Sequence, residues 1–256
     1  MTQVTRFYPL LTGYSRYDKT LSTRGHGAGE IITAPILAYL IETRQGRILY
    51  DVGCDFGKIA DPTQKDAYYA DFPFGPPEMD EEQRVVSYLA KLGLGPRDID
   101  VVFCGHLHFD HAGGLCDFPG CEVHVHAREL EAARNLADEA YFADDLDVDV
   151  RWRLQPSEYH PLPGITAIET PGHTAGHMSM LVTLPKGRPI LLTGDAADLQ
   201  ENLVSEIPPG LCCNTESALS SIRKLKRIAE QENALLWPNH DLHFWQQQKT
   251  FPAFYS

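Results

Sequence analysis

Short hydrophobic runs punctuated by Gly, Pro or charge cover much of the chain. They predict strands over 36–42, 47–51, 101–104, 122–125, 166–169, 179–183, 190–193 and 234–237. Three other stretches carry helical spacing. In 78–92, Val85, Val86, Leu89 and Leu92 share one face, which ends at Gly93. Residues 128–139 are rich in Ala and Glu. In 215–232, Leu219, Ile222, Leu225 and Ile228 recur helically, and Asn214 stands where an N-cap belongs. Two long stretches, 55–77 and 141–163, follow neither period. Their aromatic residues predict ordered loops that wall a pocket, because structureless loops of this length in a compact domain usually serve function. Strands interleaved with helices give an α/β chain, and its length of 256 residues suits a single sheet-rich domain over 1–256.

Charge narrows the partners. Lys and Arg number 22 against 35 Asp and Glu, a formal net charge of −13. Such a surface repels phosphate backbones and anionic membranes, so nucleic acid and membrane are not expected as partners. No apolar run approaches the roughly 18 residues of a membrane span. The N-terminal segment lacks the apolar core of a secretion signal. Six cysteines occur without a CxxC pair, which reads as reduced thiols in a cytoplasmic protein.

The chemistry concentrates in Phe103-Cys-Gly-His106-Leu-His108-Phe-Asp110-His111-Ala-Gly-Gly114. Three imidazoles and a carboxylate fall just beyond a short apolar strand, and these are donors that borderline divalent metals prefer. Gly113 and Gly114 let the chain turn tightly there. Further donors follow three more predicted strands: His173 after 166–169, Asp195 after 190–193 and His240 after 234–237. One histidine after a strand is ordinarily a loop residue. Four such placements, the first holding an HxHxDH cluster, point to a metal centre.

HLHFDHAGG, TPGHTAGH, TGDA and the late NHD together resemble the metallo-β-lactamase superfamily over about 33–245. The resemblance implies an αββα sandwich with two metals at one edge, between the sheets. It assigns His106, His108 and His173 to the first metal and Asp110, His111 and His240 to the second, with Asp195 bridging. It implies two divalent ions, zinc first, with Mn, Fe or Co also accepted by such donors. It implies attack by a hydroxide shared between the metals, with Asp110 carrying a proton to the leaving group. Asp51, in Leu49-Tyr-Asp-Val-Gly53, matches a strand-end aspartate of the family and is expected to orient a ligand histidine. His177 is expected to support the loop of His173.

Within the superfamily the sequence is most similar to N-acyl homoserine lactonases and 4-pyridoxolactonase. The resemblance rests on Phe109 within HLHFDHAGG, the length, Asp195-Ala196, Ser221-Ile-Arg-Lys-Leu-Lys226, His240-Asp241 and the Phe-Pro-Ala-Phe-Tyr255 ending. It implies lactone opening on a small-molecule substrate, and a homodimer. One position departs. Those lactonases commonly carry a tyrosine three residues after the bridging aspartate, and Asp198 stands there. An ionised carboxylate only accepts hydrogen bonds. Either Asp198 acts differently as a catalytic group, a loop tyrosine (Tyr68, Tyr69 or Tyr141) replaces it, or the substrate is another lactone. Phe109 is expected either to touch an acyl chain or to pack.

Other members of the superfamily fit less well. Glyoxalase II-like thioesterases add a basic C-terminal region, whereas Lys249 is the sole Lys or Arg after His240. Hydrolysis of other esters, amides or thioesters stands as the alternative. A mono-iron persulfide dioxygenase is the main non-hydrolytic one.

Overall fold

The structure, a computed structural model, describes residues 4–256. Ten strands form two sheets. The first takes β1 (Val4–Asp18), β2 (Ile31–Thr43), β3 (Gly46–Tyr50), β4 (Val101–Phe103), β5 (Glu122–His126) and β6 (Arg151–Gln155), side by side in that order. Pairing is antiparallel from β1 to β3 and parallel from β3 to β6. The second sheet takes β7 (Ile165–Glu169), β8 (Met178–Val182), β9 (Ile190–Leu192) and β10 (Leu235–Trp237), in the order β10-β9-β8-β7.

Three apolar layers explain the stacking. Between the sheets, Phe7, Tyr39, Ile48, Tyr50 and Phe103 meet Met178, Met180, Ile190, Leu192 and Trp237. On the outer face of the first sheet, Leu40, Leu49, Val102 and Val123 pack against Val85, Leu89, Leu130 and Ala133 of two helices. On the outer face of the second, Ile168, Leu181 and Leu191 cover Leu225 and Ala229 of the helix Thr215–Gln231. Helix, sheet, sheet and helix form four layers, the αββα sandwich. The Asn214 side chain caps that last helix by accepting from Ser217 N–H.

Several boundaries differ from the sequence pattern. β1 and β6 were not anticipated, and both are edge strands of the first sheet. β1 carries Pro9 and two irregularities of register, tolerated because an edge strand leaves one side of its backbone free of the ladder. β6 is Arg-Trp-Arg-Leu-Gln, a charged edge. The 55–77 stretch is partly helical, with Phe56–Ala60 and Pro62–Tyr69 capped by Asp55 and Asp61. The helix expected over 78–92 is regular only in Val85–Lys91, because Arg84 is extended. The one expected over 128–139 is Ala127–Arg134. Among the described residues no helix is long and apolar enough to cross a membrane.

Candidate metal centre

The four donor segments leave the C-terminal ends of β4, β7, β9 and β10, so loops from both sheets meet at one edge of the sandwich. His106, His108, His111, His173, Asp195 and His240 are buried, and Asp110 is half-buried. Donor atoms of His106, His108 and His173 lie within 4.8 Å of one another, as do those of Asp110, His111 and His240.

The spacing of the inner atoms is informative. His173 Nε2 lies 3.1 Å from His108 Nδ1 and 3.3 Å from His106 Nε2. Asp195 Oδ1 lies 3.3 Å from His111 Nε2, and its Oδ2 lies 3.2 Å from His240 Nε2 and 3.5 Å from His173 Nε2. Donors about 2.0–2.1 Å from a tetrahedral metal sit roughly 3.3 Å apart. Asp195 faces both histidine groups, as a bridging carboxylate would.

The outer nitrogens fix the tautomers. His173 Nδ1–H donates to the Leu211 carbonyl and His240 Nδ1–H to the Pro35 carbonyl, each at 2.8 Å. His111 Nδ1 meets Asp51 Oδ2 at 2.8 Å, and His108 Nε2 meets Asp138 Oδ2 at 3.2 Å. With the outer nitrogen protonated, the inner one presents a lone pair inward. His111 Nε2 is buried with no hydrogen-bond partner. Lone pairs converging at these separations are repulsive unless a cation or proton lies between them, so the donor set fits two metal ions.

Electrostatics point the same way. Burial works against charge on His240, yet Asp195, Asp198 and Asp110 hold it up to about 10. Burial opposes His111 as well, but Asp195, Asp110 and Asp51 hold it well above the usual imidazole range. Asp195 stays well below the usual carboxylate range despite its burial, because His111, His240 and His106 face it. The carboxylates thus call for positive charge at this point.

Supporting residues lie around the cluster. Asp51 accepts Gly105 N–H through Oδ1 while its Oδ2 meets His111. His177 Nε2 accepts Asp195 N–H at 3.0 Å and its Nδ1 meets the Thr170 hydroxyl. Asn239 Nδ2–H donates to Asp195 Oδ1 at 3.0 Å. Gly114 earns its place by close approach, not by turning, since a Cβ there would strike the Val52 carbonyl. Sequence reasoning gave no role to Glu129 and Asp138, in the stretch read as a helix, or to Asn239, which stands in the NHD motif beside the ligand. His124 and His126 face Tyr159 and Glu169 respectively, away from the cluster.

The remaining sequence candidates separate into two groups. Phe109 is half-buried and stacks on Phe142 at 5.0 Å, with Tyr69 and Phe72 edge-on to it. Both long stretches therefore converge on Phe109, beside Asp110. Tyr68 and Tyr141 spend their hydroxyls elsewhere: Tyr68 O–H donates to Asp144 at 2.6 Å and Tyr141 O–H to Glu129 at 2.9 Å. Tyr141 still contributes its ring, whose centroid is 4.6 Å from that of His108. Asp198 is buried, its Oδ1 has no partner, and burial together with Asp195 pushes its carboxyl up to about 8.

Residues 32–240 match the family model of the metallo-beta-lactamase superfamily. The chain belongs to the metallo-β-lactamase superfamily. Within this superfamily it is 34% identical to an N-acyl homoserine lactonase of Bacillus sp over 88% of this chain and 89% of that one. It is 31% identical to N-acyl homoserine lactonase AttM of Azorhizobium caulinodans over the whole of both chains. Among solved structures of the superfamily, it is 32% identical to an N-acyl homoserine lactone hydrolase with N-hexanoyl-L-homoserine bound at the catalytic metal centre. That likeness has a TM-score of 0.88 and covers 99% of this chain and 100% of the other.

Proposed function

We propose that the protein is a dinuclear zinc lactonase that opens the ring of N-acyl homoserine lactones, the chemistry of quorum quenching. The convergence of five inner imidazole nitrogens around the two faces of Asp195 carries this reading. His106, His108 and His173 would hold one ion, Asp110, His111 and His240 the other, and Asp195 both. Bound zinc supplies Lewis acidity and makes water nucleophilic near neutral pH. The chain's own groups do the rest. Asp110, with Oδ2 3.7 Å from His111 Nε2 and 3.9 Å from His240 Nε2, would move the proton of the attacking water to the ring oxygen. The aromatic wall of Phe109, Phe142, Phe72 and Tyr69 offers an apolar surface to an acyl chain. Names of the relatives support the substrate class, and six free thiols fit action in the reducing cytoplasm.

The test is proton release by metal-quantified protein on N-acyl homoserine lactones and simple γ- and δ-lactones. Ring opening with about two metals per chain, lost in Asp195→Ala, is the expected result. Two bound metals without ring opening would overturn the lactonase reading and redirect the search to other esters, amides and thioesters.

A further inference from the structure

Neither the ligand assignment nor the proton transfer above uses Asp198. It stands between β9 and the helix Gln200–Ser205 and is only 5% exposed. Its Oδ1 is buried without a hydrogen-bond partner. A buried carboxylate oxygen is costly unless a donor or a cation meets it. Among the described residues no Lys or Arg pairs with Asp110, Asp195 or Asp198, and Asp110 and Asp195 face histidines alone.

Geometry shows where a cation would satisfy Asp198. A carboxylate oxygen of Asp198, one of Asp195 and a ring nitrogen of His240 all lie within 4.8 Å of one another. Two donors on opposite sides of one ion are about 4.0–4.4 Å apart, so one ion bridges this group with little movement. The backbone holds the group in place. The Asp198 carbonyl accepts His240 N–H at 2.9 Å, and the Ala197 carbonyl accepts Asn239 N–H at 3.3 Å. The loop that follows β9 is therefore fastened to the loop that follows β10 at the very residues that converge.

We propose that Asp198 is a further ligand of the second ion. That position then has Asp110, Asp195 and Asp198 with His111 and His240, whereas the first has His106, His108 and His173 with Asp195. Carboxylates suit Mn2+ and imidazoles suit zinc. The second position consequently accepts Mn2+ more readily than the first. This rests on the dinuclear part of the function proposed above and is independent of the substrate.

The experiment strips metal from wild type, Asp198→Asn and Asp198→Ala, then measures Zn2+ and Mn2+ binding by chelator competition and metal per chain. Asp110→Asn, which removes another donor to the second ion, marks which of the two affinities belongs there. Asp198→Asn keeps the shape and removes the charge, so the fold is expected to persist, as checked by circular dichroism of the metal-free protein. One ion, the same one that Asp110→Asn weakens, is expected to bind about tenfold or more weakly in both Asp198 variants, with the other within about twofold of wild type. Mn2+ is expected to lose more than Zn2+, and its bound EPR signal to fall accordingly. Both affinities unchanged in both variants would overturn the proposal. So would an equal fall of both affinities, or a loss confined to the ion that Asp110→Asn leaves alone. Wild type that holds fewer than two ions would overturn the dinuclear reading itself. Two ions in wild type with unaffected Asp198 variants overturns the Asp198 assignment alone.

Discussion

Glu129 accepts the Thr174 hydroxyl at 2.6 Å, between the loop of His108 and the loop of His173. The same buried carboxylate takes Gly176 N–H at 3.1 Å, Leu107 N–H at 3.0 Å and Tyr141 O–H at 2.9 Å. Gly176 is required for this approach, because a Cβ there would strike the Glu129 backbone. Glu129→Ala leaves four donors without their acceptor. It is expected to cost about 3 kcal/mol or more in urea unfolding, and to lower metal content of the folded fraction. Glu129→Gln keeps the shape but turns an NH2 toward two of those donors, so it is expected to lose metal affinity with a smaller loss of stability.

Asp51 holds His111 from behind, with a left-handed backbone of φ 59°. Asn tolerates that conformation better than most residues. Asp51→Asn therefore isolates the loss of the carboxylate. Metal affinity is expected to fall about ten- to a hundredfold with little change in the unfolding midpoint, read by chelator competition.

Protons compete with metal at the inner nitrogens. His240 is held up to about 10 and His111 well above the usual range, so both carry protons throughout the neutral range when protein charges alone balance the carboxylates. A raised pKa means the protonated form persists until pH climbs through that value. Apparent metal affinity is expected to rise from about pH 6 to about pH 9, roughly tenfold per unit for each proton displaced. A flat profile in chelator competition would contradict this. Removing metal with a chelator is expected to lower Tm.

Lys58 braces the wall near Phe142, pairing with Asp144 at 2.9 Å and with buried Asp145. Burial pushes Asp145 up to about 6 although Lys58 pulls it down. A raised acid contributes stability that is present below its ordinary value of 3.8 and lost as pH rises through about 6. Lys58→Met removes the downward pull. The variant is expected to lose more Tm at about pH 8 than at about pH 5, because charging an unpaired buried carboxylate is costly.

The centre was legible because its chemistry is local. His106, His108, Asp110 and His111 fall within one short segment, and the others follow strands whose apolar runs stand out. The inner strands were legible for the same reason. β1 and β6 were not, since an edge strand can carry Pro, Arg and irregular burial without breaking a ladder on both sides. Glu129 was hidden differently: it lies in an ordinary Ala- and Glu-rich helix, and only the tertiary approach of two loops gives its carboxylate four donors. Asp61-Pro62, a cap followed by a proline at the first helical position, carried a signal for the helix inside 55–77 that the loop reading passed over.

The inner nitrogens come from both sheets, so the cluster spans the seam where the sheets dock. An ion held by Asp110, His111 and His240 ties the segment after β4 to the segment after β10, much as a cross-link would. The second ligand set is complete only with β10 in its place at the edge of the second sheet, since His240 follows that strand. A chain arrested before that strand would display an HxHxDH segment without the far half of its cage.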